Sequence, residues 1–254
     1  MIDASTKIIA LCGKGGVGKT SISALTTKIL TEKDNSRVLA IDADPALGLS
    51  IALDMKVDKT VNDIRNQLIS ELKSGTKLDK QTMLSRMDYE LFQAMAEKQN
   101  FAFLAIGRPE SEGCYCQINN FLKDMIKEIS SNFDYIIIDG EAGIEQVNRR
   151  VMEKVTHLLL VSDTSIKGAQ IVQSISEVAD NTLGPHEKGV LFNRLKHGEE
   201  IDKHLQGKQL RVLGKLYEDE GIYSFDRSGE SLLDMPEGDN LRSLENALAE
   251  FELI

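Results

Sequence analysis

Apolar residues along the chain fall into two alternating patterns. Short, nearly unbroken runs occur at KIIALC (7–12), RVLAID (37–42), FAFLAI (101–106), DYIIID (134–139), HLLLVS (157–162), KGVLF (188–192) and LRVLG (210–214). Several lack polar alternation, which predicts strands covered on both faces. Between them the apolar positions return at helical spacing. Ile22, Leu25 and Ile29 share one face, as do Ile118, Leu122, Met125 and Ile129. This alternation predicts an α/β fold, a mostly parallel twisted sheet with helices on both faces. Residues 55–96 read as a helical insertion without a strand of its own. No linker-like stretch or internal repeat divides the chain, so one domain over 1–254 is expected.

Composition narrows the partners. The 254 residues are 41% hydrophobic and 28% charged, an ordinary globular balance in a chain long enough to bury a core unaided. No apolar run reaches the roughly 18 residues of a membrane span. The first apolar segment enters a glycine loop and not a small-residue cleavage site, so no secretory leader is expected. A net charge of −10 argues against a nucleic-acid backbone as partner. Three cysteines, an odd number, fit a reducing cytoplasm better than a disulfide scaffold.

The first strand runs into GKGGVGKT (13–20), which matches G-x-x-x-x-G-K-[ST]. Glycines there let backbone N–H groups turn inward around phosphate oxygens, and the following helix aims its positive end at the same anion. Gly13, Lys14, Gly15, Gly16, Val17, Gly18, Lys19, Thr20 and Ser21 are therefore the candidate nucleotide-binding residues. The nucleotide expected there is ATP or ADP, with Lys19 between the β- and γ-phosphates of ATP and Thr20 on Mg²⁺. Carboxylates follow the strands at Asp42 and Asp44 in LAIDADP and at Asp139 in YIIIDGEAG. Ligands of open parallel sheets bind at the carboxyl ends of strands, so these acids are placed for Mg²⁺ or the attacking water.

Lys14 makes the loop more specific. KGGVGKT resembles the deviant Walker A of the P-loop NTPase family that includes nitrogenase iron protein, the MinD and ParA ATPases and metallocentre maturation ATPases. The resemblance implies a homodimer that sandwiches two nucleotides, with Lys14 reaching across to the partner and Lys19 acting in cis. It makes Lys14, Lys19 and Asp44 catalytic, Asp44 by positioning water, and assigns Asp42 and Asp139 to the Mg²⁺ site. It also implies that Asn193 in LFNRL contacts the base, with Asp219 as a further nucleotide contact. Within the family, GRPESEGCYCQINN, DGEAGIEQVNRR and SGESLLDMP are similar to the CooC-type nickel-inserting ATPases that mature carbon monoxide dehydrogenase. The chain departs from that type at Ala46-Leu47, where a polar residue is common, and at Tyr217, where a proline is common.

Cys114 and Cys116, at i and i+2, put both thiols on one side of an extended segment. Arg108 and a helix beginning near Ile118 would favour the thiolates. Two thiolates do not close a structural site, but a twofold copy would supply four, suited to Zn²⁺ as a tetrahedron or to Ni²⁺ in a plane. By itself a C-x-C pair is two ordinary thiols. With the resemblance it implies a Ni²⁺ or Zn²⁺ site shared between protomers and a nickel enzyme as client. Three alternatives remain open, an iron–sulfur reductase, a MinD/ParA-like positioning ATPase and a non-enzymatic switch protein. The acidic C-terminal LENALAEFELI is unlike a lipid-binding basic helix. Cys12 reads as a buried apolar residue, and the four histidines carry no metal spacing.

Overall fold

The computed structural model describes residues 6–33, 36–74, 86, 89–98, 100–108, 129, 131–140, 155–183, 186–199, 201 and 210–254. Strands β1 (Lys7–Gly13), β2 (Val38–Asp42), β3 (Ala96–Lys98), β4 (Phe101–Ala105), β5 (Tyr135–Asp139), β6 (His157–Ser162), β7 (Glu187–Leu195) and β8 (Arg211–Tyr217) form one sheet in the order β3-β4-β2-β5-β1-β6-β7-β8. All neighbours pair parallel except β3, which runs antiparallel to β4 along the edge. The seven strands expected from the apolar runs are all present. β3 is the addition, and it meets the end of the segment read as strandless. Its three residues, Ala-Glu-Lys, carry no apolar run that could announce it.

Central strands are buried at nearly every position because helices cover both faces, and successive side chains alternate between the two layers. Ile8, Ala10 and Cys12 of β1 face one layer, with Leu39, Ile41, Ile136 and Ile138 from the neighbouring strands. Against that layer lie Ile64 and Leu68 of α3 (Val61–Lys73) and Val172 and Ile175 of α4 (Ile166–Thr182). Ile9 and Leu11 face the other layer with Phe103 and Ile137. There α1 (Lys19–Lys33) contributes Ile22, Leu25 and Ile29, the face expected from their spacing. The short α2 (Gly48–Ala52) adds Leu49, and α6 (Asp239–Glu250) adds Leu241, Leu244 and Leu248. Between β8 and α6 lies α5 (Glu220–Ser228). Burying one such side chain stabilises the fold by about 1.5–3 kcal/mol, so the two layers dominate the energetics.

The two outer strands β7 and β8 extend beyond their apolar runs, to Leu195 and Tyr217. Register shifts at Val190/Leu191 and Phe192/Leu195 let polar Asn193 and Arg194 stay within β7. Arg194 takes a left-handed φ of 61° at the second shift. Bulges of this kind re-aim side chains beside functional sites.

Candidate nucleotide site

The loop from Gly13 to Thr20 joins the central strand β1 to α1, where β5 and β6 diverge on either side of β1. Gly13 has φ 154°, and a Cβ there would stand 2.1 Å from the Val161 carbonyl oxygen. Gly18 has φ 93°, and its Cβ would fall 2.5 Å from Asn193 Nδ2. Neither position admits a side chain. Val17 is buried, and its carbonyl accepts from Asn193 Nδ2 at 2.8 Å, which ties the loop to the end of β7. Lys19 is buried and donates to the carbonyls of Gly13 and Lys14, both at 3.2 Å. Thr20 sits in the first turn of α1 beside Gly48, where a Cβ would meet it at 3.5 Å.

Asp42 and Asp139 close adjacent strands in register and are both fully buried. Burial, and then the charge of Asp139, pushes Asp42 up to about 7, although backbone N–H groups oppose the shift. Its Oδ1 accepts from Asp44 N, and its Oδ2 from Leu49 N and Ser50 N. Asp42, expected at the metal, thus holds the start of α2 and the loop before it. Burial raises Asp139 to about 6, against the Thr20 and Ser23 hydroxyls and Lys19, which lower it. Oδ1 of Asp139 accepts from Ser23, but Oδ2 is buried without a partner among the described residues. Asp44 is half-buried, and its Oδ1 accepts from Ala46 N in a turn.

Lys14, expected to act on a second chain, bonds Asp163 of its own chain at 2.7 Å. Burial would raise Asp163, but Lys14 and the hydroxyl and N–H of Ser165 hold it below the usual carboxylate range. Asp163 was not among the candidate residues. It follows β6 as Asp139 ends β5, so the same strand-end rule applies to it. On the far side of the loop a cleft of about 400 Å³ is lined by Gly18, Ser21, Asn193, Arg194, Asp219 and Tyr223, among others. Asp219, expected as a nucleotide contact, stands at this cleft but caps α5, accepting from Gly221 N and Ile222 N.

Cys114 and Cys116 lie outside the described residues, as do the rest of their loop beyond Arg108 and DGEAGIEQVNRR beyond Gly140. Among the described residues no group of three or more His, Cys, Asp or Glu gathers to hold a metal. Burial pushes the Cys12 thiol up to about 12, consistent with an inert apolar residue. No described helix is long and apolar enough to cross a membrane.

A family model described as an AAA domain (AAA_31) matches residues 6–185. An uncharacterized ATP-binding protein of Methanocaldococcus jannaschii is 34% identical over 247 residues, covering 96% of this chain and 97% of the relative. The carbon monoxide dehydrogenase accessory protein CooC of Rhodospirillum rubrum is 26% identical, covering 89% of each chain. The septum site-determining protein MinD of Pyrococcus horikoshii, solved with Mg-ADP, superposes with a TM-score of 0.70 at 21% identity. That superposition covers 97% of this chain and 96% of that one, and shows the shared fold. With the glycine loop between β1 and α1, the family match over 6–185 and the ATP-binding relative, the chain belongs to the AAA-domain family and is an ATPase with a P-loop fold shared with MinD.

Proposed function

We propose that the chain hydrolyses Mg²⁺-ATP as a homodimer closed through Lys14, and that this cycle serves metal delivery to a nickel enzyme. The observation that carries the hydrolytic reading is the buried Asp139 carboxylate beside the Thr20 hydroxyl, with no hydrogen bond to Asp139 Oδ2 within normal geometry among the described residues. A buried carboxylate oxygen with coordination to spare fits a divalent cation. Mg²⁺ in such sites takes one or two carboxylates together with phosphate oxygens and water. Thr20 and Asp139 are the residues that would hold it, and Asp42 sets the loop behind them. The ion, when bound, neutralises charge on the phosphates. Lys19 supplies a fixed positive charge at the loop, and Asp44 orients the attacking water.

The Lys14–Asp163 pair supports closure between chains. Both side chains are about 30% exposed, and pairs of that kind are worth about 0–1 kcal/mol. Lys14 can therefore leave Asp163 for a partner's phosphate at low cost. Ile166, 75% exposed, opens α4 three residues beyond Asp163 and adds apolar surface for such a contact. The metal reading rests on the CooC relative and on Cys114 and Cys116, which in two copies make four thiolates for Ni²⁺ or Zn²⁺ as cargo. A positioning role on lipid is disfavoured by α6, whose apolar face is packed against β8 and α1. The test combines ATP turnover with metal content. Wild type should hydrolyse ATP and bind about one ion per two protomers, a ratio set by four ligands per site. Lys19→Ala should lose turnover, and Cys114→Ser should lose the ion. Unchanged metal stoichiometry in Cys114→Ser would remove the delivery role and leave the ATPase.

A further inference from the structure

We propose that Tyr223 is the stacking wall of the base subsite, a reading that rests on the nucleotide site above. Two tyrosines, Tyr217 and Tyr223, line the cleft beside Gly18. The Tyr217 ring is already covered by His197, with centroids 4.8 Å apart and planes 13° from parallel. Tyr223 is 61% exposed and has no ring partner among the described residues. Its helix is amphipathic. Ile222 and Phe225 of α5 pack on the core, which leaves Tyr223 on the side that lines the cleft. A large aromatic face left in water beside a phosphate loop suits a planar heteroaromatic base, since every base offers a π-face to an aromatic side chain.

The helix that carries Tyr223 is held in place from the core. Asn240 of α6 is buried, accepts from Tyr217 N at 2.9 Å, and donates to Tyr217 O at 2.8 Å. The same amide donates to Asp219 Oδ2 at 3.1 Å, while Asp219 Oδ1 caps α5. Asp219 therefore serves the base by positioning Tyr223, through the cap. At the opposite end of the cleft, the left-handed Arg194 brings its guanidinium to the loop, with Nε 3.8 Å from where a Gly18 Cβ would lie. The base has an aromatic wall on α5 and a polar end at Asn193 and Arg194.

Binding of ATP and of inorganic tripolyphosphate to wild type, Tyr223→Ala and Tyr223→Phe, measured by calorimetry, tests this. Tyr223→Ala should weaken ATP about tenfold, in line with one lost base–aromatic stack, and leave tripolyphosphate within about twofold. Tyr223→Phe should bind ATP like wild type. Equal ATP affinity in Tyr223→Ala and wild type overturns the proposal, and so does a parallel loss of both ligands, which would mark a structural role. If wild type binds tripolyphosphate but not ATP, the base subsite itself fails. If it binds neither, the nucleotide reading fails with it.

Discussion

Gly18 shows how closely single residues are fitted at this site. Its φ of 93° disfavours a side chain, and a Cβ would strike the amide of Asn193 that holds the loop through Val17. Gly18→Ala should cost about 1–3 kcal/mol of stability from backbone strain and weaken ATP more than tenfold as Asn193 is displaced. Urea titration and calorimetry would read the two effects. His157 makes a second residue-scale prediction. Burial, and then Lys7, lowers it from 6.5 to about 4, and it packs edge-on to Phe251 with centroids 5.0 Å apart. Its depressed value gives stability that is present above the unfolded value near 6.5 and lost as pH falls toward 4. Denaturation midpoints between pH 7 and 4 should therefore fall more in wild type than in His157→Gln. Equal slopes would contradict this. The loop residues were readable because their spacing is a motif. Asp163 stands where the strand-end rule could have found it, but His157 does not, because its environment comes from Lys7 and Phe251, far away in sequence.

At the scale of elements, the core-facing spacing of α1 and the strand runs followed from periodicity alone. β3 did not, since an edge strand of three residues has too few positions for a pattern. The ends of β7 and β8 were also hidden, because bulges carry polar residues through the ladder. The terminal segment after α6 is a different case. Phe251 and Leu253 are buried, and Leu253 O accepts from Lys7 Nζ and the Tyr135 hydroxyl, so the tail seals the lower edge of β1 and β5. Phe251→Ala should destabilise the protein by about 3–5 kcal/mol through the cavity it leaves, with ATP affinity unchanged in the folded fraction. A loss under about 1 kcal/mol in urea titration would mean that the tail is not part of the core. Asn240→Ala should weaken ATP more than it weakens the fold, because the clamp at α5 loosens first.

At the scale of the whole molecule, the sheet brings Lys14, Asp42, Asp139 and Asp163 to the carboxyl ends of β1, β2, β5 and β6. The C-x-C pair was visible in the sequence but lies outside the described residues, so its role depends on chemistry to be measured. Sedimentation with a non-hydrolysable ATP analogue should convert wild type to a dimer, and Lys14→Ala should remain a monomer. A Lys14→Ala dimer as stable as wild type would separate this lysine from closure. The central claim concerns Asp139, whose buried Oδ2 has no hydrogen-bond partner among the described residues. Mg²⁺-dependent ATP turnover should be lost by about a hundredfold or more in Asp139→Asn, a scale in keeping with removal of one charge-stabilising group, while tripolyphosphate still binds. Turnover in Asp139→Asn equal to wild type would contradict the account.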